Sequence, residues 1–216
     1  MIPDESERML IVSYAPAPAR AAFAALLALD DTLGGIVRST REPIVGQMRL
    51  TWWHEALTKL DAAPPPAEPV LQALAASAIP KIHGPSLAAM IDGWEALLEP
   101  DLDDAAIELF AMGRGGRLFD AIATACGAVD RRIEVAGQGW ALADLSRRLR
   151  DPTLGETVRQ KALARLNAAL VGVWPREARA LGAMALLARA ALLEPDGAAI
   201  GPKRIGRILI HRLTGR

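Results

Sequence analysis

Prolines and glycines cut this sequence into helix-length pieces, and within them apolar residues recur every three or four positions rather than every second one. No apolar–polar alternation is sustained over about five residues, so nothing reads as a half-buried strand. Alanine and leucine, both strong helix formers, supply most of the apolar content. Hydrophobic residues make up 51% of the chain and aromatic ones only 4%. A chain of 216 residues is long enough to bury a substantial core. The expectation is an all-α protein, a compact multi-helix bundle, with 1–216 forming a single domain.

The pieces can be followed in order. Pro16 and Pro18 precede Arg20–Leu33, in which Phe23, Leu26, Leu27 and Ile36 keep the helical period, and Gly34 and Gly35 are expected to end or kink it. A second helix is predicted from about Ile44 to Leu60, apolar on more than one face through Met48, Leu50, Trp52, Trp53, Ala56 and Leu57. Ala62–Pro69 is a proline-rich connector. Further helices are predicted over 70–79, 85–98, 105–126, 131–150, 156–171, 176–193 and 202–213. Asp103 and Asp104 are placed to cap the helix that begins at 105.

Charge and cysteine content narrow the function classes. Lys and Arg number 25 and so do Asp and Glu, which leaves no global field to attract nucleic acid. The one cysteine, Cys126, allows no intrachain disulfide and no multi-cysteine metal site, and reads as an inert core residue. His54, His83 and His211 have no metal-ligand spacing. The opening residues are acidic, unlike a secretory signal, and no uncharged apolar run reaches the roughly 18 residues of a bilayer span. A cytoplasmic protein is expected, at most peripheral to the inner face of a membrane. Residues 201–216 carry five Lys/Arg and no acid, with Ile205, Ile208, Leu209 and Leu213 at helical spacing opposite Arg204, Arg207 and His211. That is the pattern of a basic amphipathic helix, able to lie on an anionic membrane or a partner, or to dock as the last helix of the bundle.

Four segments carry a resemblance. Tyr14 to Asp31 reads Y-A-P-A-P-A-R-A-A-F-A-A-L-L-A-L-D-D, and R-L-T-W-W-H-E-A-L follows at Arg49–Leu57. Met90-Ile-Asp-Gly-Trp, then Phe110-Ala-Met-Gly-Arg-Gly-Gly-Arg-Leu, then Asp144-Leu-Ser-Arg-Arg-Leu-Arg-Asp come later in the chain. In that order they resemble the squalene/phytoene synthase family over about residues 10–155. The form R-L-x-W-W-x-x-A-L is especially similar to the degenerate branch that includes mitochondrial complex I assembly factors. The resemblance implies the isoprenoid synthase type of helical bundle.

For active members the resemblance implies head-to-head condensation of prenyl diphosphates. Departure of pyrophosphate is then helped by Mg²⁺ held between carboxylates at i and i+4, with arginines on the phosphate oxygens. Carried onto this sequence, Asp30, Asp31 and Asp151 are the candidate catalytic and metal-binding carboxylates. Arg38, Arg41, Arg49 and Arg150 are the candidate substrate-binding groups, with Arg49 equally readable as a buried ion-pair partner. The i+4 partners are missing, however: Gly34 and Gly35 follow the aspartate pair, Leu97 stands at the second motif, and Gly155 follows Asp151. The expected function is therefore that of a catalytically degenerate member that binds an isoprenoid, another lipid or a protein partner, in a setting such as respiratory-complex assembly. The alternative is an active Mg²⁺-dependent prenyltransferase, with Mg²⁺ as its cofactor. Asp92, Glu95 and Asp144 are acids outside the motifs that a fold is free to bring into a cavity. The Gly113–Gly116 run lacks the strand and lysine-serine of a phosphate loop, and is read as a close helix approach or as space for a prenyl tail.

Overall fold

In the computed structural model, residues 5–79, 81–99, 101–193 and 202–215 are described, and every regular element among them is helical. In chain order these are α1 (Glu5–Tyr14), α2 (Arg20–Ser39), α3 (Pro43–Thr58), α4 (Pro69–Ser77), α5 (Gly84–Ala88), α6 (Ile91–Glu95) and α7 (Asp104–Phe110). A π-helical turn, Ala111–Gly116, links α7 to α8 (Arg117–Cys126). Then come α9 (Ile133–Ser146), α10 (Pro152–Ala169), α11 (Arg179–Leu193) and α12 (Pro202–Thr214).

Local chemistry explains where these helices begin. Pro43, Pro69 and Pro152 each occupy the first turn, where the missing N–H would have had no intrahelical partner. The Asp103 carboxylate accepts from Ala106 N at 2.8 Å, and Asp151 accepts from Thr153 N at 2.8 Å. Gly127, with φ of +67°, ends α8 in the left-handed conformation that glycine adopts freely.

Helix α1 lies outside the sequence expectation, α10 starts earlier than expected, and three elements near the centre differ from it more deeply. Gly34 and Gly35 do not end α2, which runs on to Ser39. Interior glycine costs a helix about 1 kcal/mol, and here the Trp94 ring packs against the bare Cα of Gly34. The single helix expected at 85–98 is instead α5, α6 and a short 3₁₀ turn, Ala96–Leu98. The helix expected at 105–126 is continuous in path but widens into the π turn.

Glycines explain how that wide turn fits. A Cβ on Gly93 would stand 2.6 Å from Arg114 N, and one on Gly115 would overlap the Gly137 carbonyl. The π turn is thus held backbone to backbone between α6 and α9. Helix α9 is apolar on nearly all sides, as a central helix must be, and packs on α8, α10, α11 and the π turn. Trp53, Trp94, Trp140 and Trp174 are buried, while Trp52 is not.

Two helices present apolar side chains outward. On α3, Ile44, Met48 and Trp52 lie one turn apart and are 62%, 68% and 47% exposed. Helix α12 docks through a side chain that the sequence places on its basic face: His211 is buried in the notch left by Gly182, with Nε2 3.2 Å from Arg179 O. Leu209, Ile210 and Leu213 therefore face out. The side chains of Arg204, Ile205, Arg207 and Ile208 lie outside the described residues. Among the described residues, no helix is long and apolar enough to cross a membrane.

Cys126 is buried at the end of α8, and burial pushes its thiol up to about 11. At pH 8 the thiolate fraction then falls about 100-fold below that of an ordinary cysteine. Alkylation of native protein by iodoacetamide at pH 8 should be slower by about that factor than in denaturant. Gly115→Ala should cost roughly 2–4 kcal/mol in urea unfolding, because backbone must move. Gly35→Ala, with open space around its Cα, should instead stabilise the protein by about 0.5–1 kcal/mol.

Candidate functional site

The π turn delivers one charged side chain to the centre of the bundle. Arg114 is 1% exposed, and its guanidinium lies 4.5 Å from the Trp94 ring centroid, 4.6 Å from Trp140 and 5.5 Å from Phe110. Rings around a guanidinium stabilise it through their negative faces but cannot replace its lost hydration. Carboxylates do that. Arg114 Nε and Nη2 donate to the two oxygens of Asp30, each at 2.9 Å, and Nη1 donates to Asp144 Oδ2 at 2.8 Å. Arg148 adds a second cation, with Nε and Nη2 each 3.0 Å from Asp144 Oδ1.

Among the described residues, two cations and two anions thus meet where α2, α9 and the π turn converge. Burial alone would lower the Arg114 pKa, but Asp30 and Asp144 outweigh it and keep the guanidinium charged. Burial pushes the Asp30 carboxyl up, against the pull of Arg114. Burial also acts to raise Asp144, yet Arg114 and the Arg148 hydrogen bond win and hold it well below the usual carboxylate range.

The candidate residues from the sequence have different surroundings. Asp30 is 3% exposed on the inner face of α2, with both oxygens on Arg114. Asp31 lies on a neighbouring, partly exposed face of α2. One turn on, a Cβ at Gly34 would stand 2.8 Å from the Trp94 ring and 2.6 Å from Arg38 Nη1, so a second carboxylate has no room there. Arg38 and Arg41 are exposed. Arg49 is exposed as well and donates to Ser39 Oγ at 3.3 Å, which excludes the buried ion-pair reading for it. Arg150 is exposed, and Asp151 serves as the N-cap of α10.

The donor set does not fit Mg²⁺. Asp30 already accepts at both oxygens, Asp151 accepts from backbone, and among the described residues no group of three His, Cys, Asp or Glu side chains is placed to hold a metal. Of the acids outside the motifs, Asp144 belongs to the Arg114 network. Asp92 and Glu95 line a separate cavity of about 500 Å³ with Glu99. Burial, and then Asp92, push the Glu95 carboxyl up.

Arg114 itself was not singled out by sequence reasoning. The available signal was an arginine inside a glycine run on an otherwise apolar helix, which needs a counter-charge if it points inward. Asp30 and Asp144, single acids on apolar helix faces, were the complementary signal.

Arg114→Met strands the buried Asp30 carboxylate, while Asp144 keeps Arg148, and should cost about 3–5 kcal/mol, read from urea unfolding midpoints. Arg150→Ala, at an exposed position, should stay within about 0.5 kcal/mol of wild type.

No curated protein matches the chain, and no solved structure does. The family model for squalene/phytoene synthase matches residues 4–151, more than half of the chain and a span that includes Asp30, Arg114 and Asp144. Together with the all-helical architecture, that match places the chain in the squalene/phytoene synthase family.

Proposed function

We propose that this chain is a non-catalytic member of its family, acting through what it binds rather than by condensing prenyl diphosphates. One observation carries the reading: both oxygens of Asp30 are taken by Arg114, and the position one turn on lies under Trp94 and Arg38. A carboxylate cannot grip a metal while a buried guanidinium holds both its oxygens, and releasing it leaves an uncompensated charge in a dry interior. The aromatic side chains that could line a prenyl cavity are packed on Arg114 instead.

The surface supports a binding role. Ile44, Met48 and Trp52 form an outward apolar stripe of the kind that marks contact with a partner. A protein partner is therefore the occupant we assign to α3. Assembly of a respiratory membrane complex, the role of the branch resembled at R-L-x-W-W-x-x-A-L, is the setting we propose. Leu209, Ile210 and Leu213, turned outward by the docking of His211, favour peripheral contact of the C-terminal helix with the inner face of a membrane.

Purified protein incubated with Mg²⁺ and farnesyl or geranylgeranyl diphosphate should release no pyrophosphate and form no extractable hydrocarbon. Turnover that disappears in Asp30→Ala/Asp31→Ala would overturn the non-catalytic reading.

A further inference from the structure

At the other end of the helices that carry the Arg114 network, the ends of α1, α8 and α12 meet the starts of α2 and α11 around an open cleft of about 690 Å³. Arg20, Arg176, Arg179 and Arg212 line it. Among the described residues, Glu177 is the one acid in its walls, and none of the four guanidiniums forms an ion pair. In a protein with equal numbers of acids and bases, such a concentration of one sign is a local design.

Three of the four arginines are also held in place. Arg20 donates from Nε to Ala15 O at 3.2 Å and from Nη2 to Ser13 O at 3.0 Å. Arg179 Nη1 donates to Arg212 O and Leu213 O at 2.8 and 3.1 Å, and the Arg212 guanidinium lies 4.7 Å from the Tyr14 ring centroid. Carbonyls and a ring fix the guanidiniums without neutralising them, which leaves N–H donors for a ligand. Two polar atoms of the walls are buried with no hydrogen-bond partner among the described residues: Tyr14 Oη, on a side chain 8% exposed, and Arg179 Nε. Buried polar atoms are nearly always satisfied, so orphans in the wall of a basic cleft point to something that binds there.

We infer that this cleft is a binding site for a phosphate-bearing ligand. Tetrahedral oxyanions accept several charge-assisted hydrogen bonds at once, which matches convergent guanidiniums better than a lone carboxylate would. The volume suits a phosphate ester or a lipid headgroup. Leu213 stands at the rim, 77% exposed, where an acyl chain would leave the cleft. The site shares no residue with the Arg114 network, so it stands whether or not the non-catalytic reading does.

Two probes separate the sources of phosphate: glycerol 1-phosphate, followed by titration calorimetry, and phosphatidylcholine vesicles with and without phosphatidylglycerol, followed by flotation. Binding of either probe should weaken at least about tenfold in Arg176→Ala/Arg212→Ala and persist in Arg117→Ala, an exposed arginine at the far end of α8. Binding of the soluble ester assigns a free phosphate ligand, and binding of anionic vesicles alone assigns a headgroup. Arg176→Ala by itself, whose side chain makes no hydrogen bond or ion pair among the described residues, should show part of the loss without any loss of stability. Failure of both probes to bind the wild type, or equal binding by the double variant, overturns the site.

Discussion

Arg114 and its two aspartates set the terms on which the centre of this molecule is built. A guanidinium taken out of water is tolerable only with counter-charges and well-aimed acceptors, so α2 and α9 must each bring a carboxylate to one point. Asp30 meets it with a two-point fork and Asp144 with a single bond, shared with Arg148. The rings of Trp94 and Trp140 close the remaining faces. The close approaches of Gly93 to Gly113 and of Gly115 to Gly137 let the π turn reach that deep. Remove the charge, and the wide turn loses its reason; add a methyl at these glycines, and the charge loses its place.

The same arrangement decides what the centre is able to do. A carboxylate engaged at both oxygens by a buried cation is a structural group, and the helix position that would offer a second carboxylate holds a glycine beneath an indole. That occupancy is the ground on which we propose a non-catalytic role for the chain. The surfaces for which we propose binding lie outside: the apolar stripe of α3, the outward leucines and isoleucine of α12, and the arginine-lined cleft beside Tyr14.

Much of the fold was legible in local residue patterns. Helix starts followed prolines and acidic caps, and the all-helical character followed from apolar spacing in an alanine- and leucine-rich chain. Gly34 and Gly35 misled because glycine weakens a helix without forbidding it, and here Trp94, sixty residues away in sequence, packs on Gly34. The 85–98 and 105–126 segments misled for a related reason: their bend and π turn come from the fit of Gly93 on Gly113, which periodicity does not record. The orientation of α12 depended on a buried histidine fitting the notch at Gly182.

By itself the sequence determined the helical class and the family, because both are written in residues close together along the chain. Tertiary structure alone decided that Asp30 is spent on Arg114 and that four arginines from distant segments share one cleft. Asp30 and Arg114 are 84 positions apart, and Arg114 and Asp144 are 30. A charge buried in a dry interior finds its partner by three-dimensional packing, and no local spacing rule names that partner in advance.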